Sequence, residues 1–237
     1  GGGPRMITPV RFRQFFFIFL AIFAFAWIGL VALPWSTLGH LQPVPVPGGD
    51  DITPWDSSGL AHAGERVYAA EGCVYCHTQQ VRPAASGADL IRGWGTAKNE
   101  GGDKPADITR RTYPRDYIWQ NQVFLGNNRD GADLSNVGSR FPDTATLYRF
   151  LYNPSFDDPH SGMPSYRFLF TTRRIGSGAD PDALMLSAAN QPAPGYEVVP
   201  TADARALVAY LLSLKKGYDL PDEQPGPVEI PKAEDAP

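Results

Sequence analysis

Residues 73–80 read CVYCHTQQ, and they hold both cysteines of the 237-residue chain, with a histidine directly behind the second. C-x-x-C-H is the attachment signature of c-type haem. The two thiols form thioethers to the porphyrin vinyl groups, and the adjacent histidine is carried beneath the iron as its proximal ligand. Two other chemistries use paired cysteines. A redox dithiol wants a strand-to-helix turn within a βαβ unit, whereas here an amphipathic helical pattern precedes the motif and a loop pattern follows it. A zinc site needs four ligands, and this chain would have to recruit them from His40, His62, His77 and His160 without a second paired motif. Haem is therefore the favoured reading, with Cys73 and Cys76 as covalent anchors and His77 as an iron ligand. With no other thiol to mispair, the chain also suits an oxidising compartment.

Working outward, Leu60, Gly64, Val67 and Tyr68 recur on one face of a predicted helix, Leu60–Glu71, capped by Ser57 or Ser58 and ended by Gly72. Far along the chain, Thr201 caps a second predicted helix over ADARALVAYLLSLKK. There Leu207, Val208, Leu211 and Leu212 fall at helical spacing, and Lys215, Lys216 and Gly217 form a C-terminal signature. The two helices are expected to pack on each other, with Gly64 letting their backbones approach.

The N-terminal segment has a different character. Phe15–Leu33 is an uncharged apolar run that, as a helix rising ~1.5 Å per residue, spans close to the ~30 Å hydrocarbon core of a bilayer. Pro34 is expected to stop it, and Trp27 and Trp35 lie toward its outer end, where indole rings favour the interface. Arg5, Arg11 and Arg13 precede the run, which places the N-terminus in the cytoplasm and the rest of the chain on the far side. The run exceeds the apolar region of a cleaved signal peptide, and no convincing cleavage site follows it. The Pro- and Gly-rich stretch after it reads as a stalk, and the acidic, Pro-rich C-terminal stretch as a disordered tail.

Composition sets the remaining bounds. An apolar content of 43% supports one substantial core. The formal charge is −4, and because the three arginines are the only charges before Asp50, the remainder carries −7. An acidic domain of this kind argues against nucleic-acid binding.

A six-coordinate electron carrier needs a distal ligand, for which methionine sulfur is a common choice. Met6 lies on the wrong side of the membrane, and Met185, in DPDALMLSAAN, suits a core or surface packing role. Met163 lies in DPHSGMPSY, a loop stiffened by Pro159 and Pro164, and is favoured over the neighbouring His160. Between the motif and that loop, Arg82, Arg92, Arg110, Arg111 and Arg115 are candidates for pairing with haem propionates, Arg110 and Arg111 foremost.

The segments GCVYCHTQQVRP, RRTYPRDYI, GADLSNVGSRF, LYNPS and SGMPSYRFLF, together with the single anchor, closely resemble the monohaem cytochrome c subunit of cbb3-type cytochrome c oxidases, the FixO or CcoO type. The resemblance runs from about residue 8 to residue 216. It implies a mainly α fold, a single N-terminal transmembrane helix followed by a class I cytochrome c domain with an extended loop insertion. The implied layout is a cytoplasmic N-terminus (1–13), an anchor (14–34), a periplasmic stalk (35–57), the cytochrome c domain (58–217) and the tail (218–237). It further implies one covalent haem c on Cys73 and Cys76, with His77 proximal and Met163 distal. In such domains a loop carbonyl accepts the proximal histidine's N–H; here the loop is GADL, with Ala132 where proline is common. TATLYRFLY lacks a histidine and a tryptophan often found before the NP turn.

The resemblance implies that electrons arrive from a dihaem cytochrome c subunit or a soluble cytochrome c and pass to the large haem-copper catalytic subunit, where oxygen is reduced. The bilayer of the bacterial inner membrane is the expected setting, with the haem domain periplasmic. Both cysteines are taken by haem, which excludes a binuclear copper site. The monohaem subunit of a nitric oxide reductase and a haem-based gas sensor are the alternatives.

Overall fold

The computed structural model describes residues 9–45, 52–54, 56, 59–97, 108–120, 122–141, 143–216 and 218. The chain divides into two compact units, residues 1–43 and 44–237.

In the first unit, α1 (Pro9–Trp27), a π-helical turn (Ile28–Ala32) and α2 (Leu33–Leu38) follow one another without a break. Val10–Leu38 is apolar enough to cross a membrane, with mean hydropathy 2.7 and no part of it buried within the protein. At ~1.5 Å per residue its 29 residues extend about 43 Å, more than the hydrocarbon core requires. Pro34 does not stop the helix, contrary to the sequence expectation. The proline falls in the first turn of α2, where its ring is tolerated, directly after the π turn closed by Leu33 N–H donating to the Ile28 carbonyl.

The second unit opens with a two-stranded antiparallel pair, β1 (Val44–Pro45) with β2 (Ile52–Thr53). This part of the expected stalk is folded in. Thr53 is fully buried, and Trp119 Nε1–H donates to the Pro54 carbonyl at 2.8 Å. Helix α3 spans Gly59–Ala70, close to expectation, and Gly72 ends it with φ +70°. The predicted caps Ser57 and Ser58 lie outside the described residues. A short ribbon, β3 (Thr96–Ala97) with β4 (Ile108–Thr109), comes next, followed by α4 (Val137–Arg140) and α5 (Thr144–Tyr152). Asp143 caps α5 by accepting from Thr146 N–H at 2.7 Å.

A five-residue hairpin, β5 (Phe170–Arg174) with β6 (Tyr196–Pro200), precedes α6 (Ala202–Ser213). Thr201 caps α6 as the sequence indicated, its hydroxyl accepting from Ala204 N–H. The hairpin was not foreseen, because two short strands separated by a long loop carry little periodicity.

Helices α3 and α6 pack face to face, and Gly64 makes the approach feasible. A Cβ built at Gly64 would lie 1.9 Å from the Ala206 carbonyl oxygen and 2.4 Å from its carbon. Tyr68, Leu207, Val208, Tyr210 and Leu211 fill this interface, joined by Leu147, Tyr148 and Leu151 of α5 and by Phe170 and Val198 of the hairpin. Tyr68 sits 5.4 Å from both Phe124 and Tyr210, ring centroid to ring centroid. Each such aromatic contributes a large apolar area and an edge contact worth about 0.5–1.5 kcal/mol.

The end of the domain also departs from expectation. Tyr218 is buried rather than part of a tail: its hydroxyl donates to Asp116 Oδ1 at 2.7 Å and its carbonyl accepts from Arg110 Nε–H at 2.9 Å. Lys216, read from sequence as a helix-end cation, is buried beside them. The remainder of the expected tail lies outside the described residues.

Candidate functional site

Directly after Gly72 the chain makes one 3-10 turn, Cys73–Tyr75, and His77 N–H closes it onto the Cys73 carbonyl at 2.9 Å. The turn leaves Cys73 half-buried against the core and Cys76 exposed, and the two thiols are not joined to each other. Burial pushes the Cys73 thiol up to about 11, so in the bare chain it stays a neutral thiol.

His77 is fixed by a glycine and a carbonyl. Its Nδ1–H donates to the Ala132 carbonyl oxygen at 2.7 Å, which settles the tautomer and leaves Nε2 with its lone pair free for a metal. A Cβ at Gly131 would lie 2.2 Å from the imidazole Cε1, so the ring lies against bare backbone. It belongs to the GADL loop that the resemblance pointed to, and backbone bonds on either side hold that loop without proline. Gly131 N–H donates to the Cys76 carbonyl at 2.9 Å, and Leu134 N–H to the Thr78 carbonyl at 2.8 Å.

Between these two bonds lies Asp133, fully buried. Its Oδ2 accepts from Thr78 Oγ1 at 2.6 Å and Gln80 N–H at 2.7 Å, while Oδ1 accepts from Ser135 N–H at 2.9 Å and the Ser135 hydroxyl. Four donors satisfy a carboxylate that would otherwise be costly to bury. Arg140 binds the Asp133 carbonyl from α4 and reaches the Trp94 carbonyl.

The residues after His77 are held one by one. Gln79 bonds through its amide to the Tyr210 hydroxyl at 3.0 Å, and its carbonyl accepts from Tyr117 OH at 2.7 Å. Val81 enters a small cluster with Leu90 and Trp94. Arg82 pairs with buried Asp89, which Arg129 also reaches at 2.9 Å. Burial opposes the charge on Asp89, yet these arginines hold its carboxyl below the usual range.

The three methionines separate by environment. Met6 lies outside the described residues and Met185 is 91% exposed, so the latter is no core residue. Met163 is half-buried and packs on the same cluster as Cys73 and Leu134. Its N–H is turned onto the Ser161 hydroxyl at 3.3 Å, and Tyr166 N–H ties the loop's end to the Leu151 carbonyl at 2.8 Å. His160 is exposed in the same loop.

The arginine expectation changes in part. Arg110 is committed elsewhere: its guanidinium pairs with buried Asp116 at 2.7 and 2.8 Å and donates to the carbonyls of Tyr218 and Arg111. Four of its five N–H donors are taken in this way, and the group is buried. Burial opposes the Asp116 charge, but Arg110 and Lys216 hold it ionised below the ordinary range. Arg92 lies over the Trp94 ring. Arg111 is different. It is half-buried, its guanidinium stacks 4.6 Å from the Tyr113 ring centroid, and its buried Nε–H has no hydrogen-bond partner among the described residues. Arg111 and Arg140 are two half-buried arginines that pair with no carboxylate among the described residues.

Sequence reading missed Asp133, Arg140 and Tyr117, because each has a partner tens of residues away along the chain, Thr78, Trp94 and Gln79 respectively. The arrangement is a pair of unbridged thiols, an oriented imidazole with a free nitrogen, a thioether on the same cluster, and a half-buried arginine with no carboxylate partner among the described residues. These fit a haem. Residues 10–192 match the family model described as cytochrome C oxidase, mono-heme subunit/FixO. No curated protein matches the chain.

Proposed function

Because this chain belongs to the FixO family, the mono-haem subunits of cytochrome c oxidase, we propose that it is the membrane-anchored electron-relay subunit of a cbb3-type oxidase, built on a class I cytochrome c domain. In this reading Cys73 and Cys76 would hold one haem c through thioethers, and His77 Nε2 and Met163 Sδ would be the protein's ligands to its iron. The observation that carries the reading is the His77 Nδ1–H bond to Ala132 at 2.7 Å, beside a glycine that makes room for the ring.

Bound there, the haem supplies reversible one-electron chemistry. The chain supplies the rest. The Ala132 carbonyl holds the imidazole plane and raises the basicity of Nε2. Asp133, Gly131 and Leu134 keep that carbonyl from moving relative to the motif. Arg111 and Arg140 bring positive charge suited to the two propionates. The anchor sets the domain at the membrane, and Arg5, Arg11 and Arg13 favour a cytoplasmic N-terminus and a periplasmic domain. Electrons then come from a dihaem cytochrome c subunit or a soluble cytochrome c and leave to the haem-copper catalytic subunit.

The decisive experiment is oxygen uptake by the complex that co-purifies with the chain after gentle solubilisation, supplied with a reduced cytochrome c. Cyanide-sensitive uptake is expected; an intact complex without it would overturn the oxidase assignment. Substituting Met163→Leu is expected to abolish the ferric sulfur-to-iron absorption band and let the reduced form bind carbon monoxide. Persistence of that band would assign the distal position to another residue. Arg111→Gln is expected to lower the haem reduction potential or loosen the haem, and unchanged potential and stability would remove Arg111 from the propionate site.

A further inference from the structure

Beneath the segment that follows the C-x-x-C-H motif lies a buried charge cluster that haem attachment and ligation do not use. Asp116 is saturated. Its Oδ1 accepts from Arg110 Nη2 and from Tyr218 OH, both at 2.7 Å, and its Oδ2 accepts from Arg110 Nη1 at 2.8 Å and Tyr113 N–H at 2.9 Å. Arg110 and Asp116 therefore form a closed, neutral pair.

Lys216 is the surplus. It is buried, and among the described residues its ammonium has one hydrogen-bond acceptor, the Asp116 carbonyl at 3.0 Å, rather than the carboxylate. The groups around it are Asp116 and Arg110, the ring of Tyr117 at 5.6 Å, and Asn136, which takes the Lys216 backbone N–H at 2.7 Å. Tyr113 and Tyr218 complete the cage around the Arg110–Asp116 pair. The cluster thus holds one net positive charge whenever Lys216 is protonated.

One aromatic residue links this charge to the segment that follows His77. The Tyr117 ring that Lys216 faces donates its hydroxyl to the Gln79 carbonyl, two residues past His77. A charge held in the interior acts over a longer range than one in water. We infer that Lys216 is the redox-linked protonation site of this domain, a lysine whose charge stabilises the reduced state. Its amine takes a proton from solvent as the chain accepts one electron from a one-electron donor, and returns the proton when the electron leaves. Burial lowers the affinity of Lys216 for its proton, against the pull of Asp116, which brings the titration toward the working range. The sign follows: as pH rises and Lys216 loses its proton, the reduced state loses stabilisation and the reduction potential falls.

The inference rests on the haem reading above, and the test separates the two. The full-length chain in its native complex is titrated spectro-electrochemically between roughly pH 6 and pH 10, the span over which a buried lysine can lose its proton. The wild-type potential is expected to fall with rising pH. K216Q is expected to show a lower potential at the acidic end and no slope. K216R, whose guanidinium stays charged throughout, is expected to stay high and flat. The neighbouring exposed Lys215 is the control, and K215Q is expected to behave as wild type. A flat wild-type profile, or a wild-type slope retained in K216Q, overturns the inference. If K216Q does not assemble, the slope of K216R decides by itself. Absence of a c-type haem spectrum in the wild type would instead overturn the haem reading.

Discussion

Replacing Asp133 with alanine is expected to destabilise the domain by about 3–5 kcal/mol, because several donors bonded to one carboxylate lose their acceptor together. Four donors from Thr78, Gln80 and Ser135 would lose an acceptor that is itself fully buried. A buried donor bonded to a charged group costs about 1.5–3 kcal/mol to strand, and relaxation of the loop recovers part of the sum. The functional consequence exceeds the stability loss. With the clamp gone, the Ala132 carbonyl shifts relative to His77, and the imidazole loses the bond that sets its plane. Denaturant unfolding followed alongside the haem spectrum checks both effects. A variant with unchanged unfolding midpoint and unchanged iron coordination would show that the loop holds its place without Asp133.

Gly64→Ala is expected to cost about 3 kcal/mol, near the upper range for forcing extra volume into a packed interface. Alanine is the better helix former by about 1 kcal/mol, and at an exposed helical site it would stabilise. Here the new methyl meets a carbonyl oxygen at 1.9 Å and its carbon at 2.4 Å, both main chain of α6. Backbone cannot rotate aside as a side chain does, so the helices must separate and loosen the contacts of Tyr68 and Tyr210. A fall in thermal midpoint of roughly 6–12 °C is expected for a domain of this size. Gly178→Ala, with open space around the added methyl, is the control and is expected to be near neutral. Equal midpoints for the two variants would refute the close approach of α3 and α6.

Much of the site was legible because its chemistry is local. Cys73, Cys76 and His77 lie within five consecutive residues, and the loop carrying Ala132 was marked by GADL. The apolar N-terminal helix and both packing helices were readable for a similar reason, since apolar runs and helical periodicity are properties of contiguous sequence. The misreadings share the opposite property. Arg110 looked available beside Arg111 until Asp116 and Tyr218 were brought to it, the latter from 108 residues away. Tyr218 looked like the start of a tail because a single aromatic among acidic and proline residues has no periodicity. Pro34 looked like a stop because proline rules are written for α-helical turns, and the π turn before it was not visible in the sequence.

Local chemistry and periodicity in the sequence were thus enough to mark the candidate ligand groups, the apolar helix long enough to cross a membrane, and the two helices that frame the core. Which arginines have no carboxylate partner among the described residues, what holds a loop without proline, and where a lysine would be buried were decided only in three dimensions. These depend on the satisfaction of buried polar groups, and in a low-dielectric interior each donor and charge must find a partner wherever the fold delivers one. Sequence spacing does not encode that pairing, because Asp133 meets Thr78 across 55 residues and Lys216 meets Asp116 across 100.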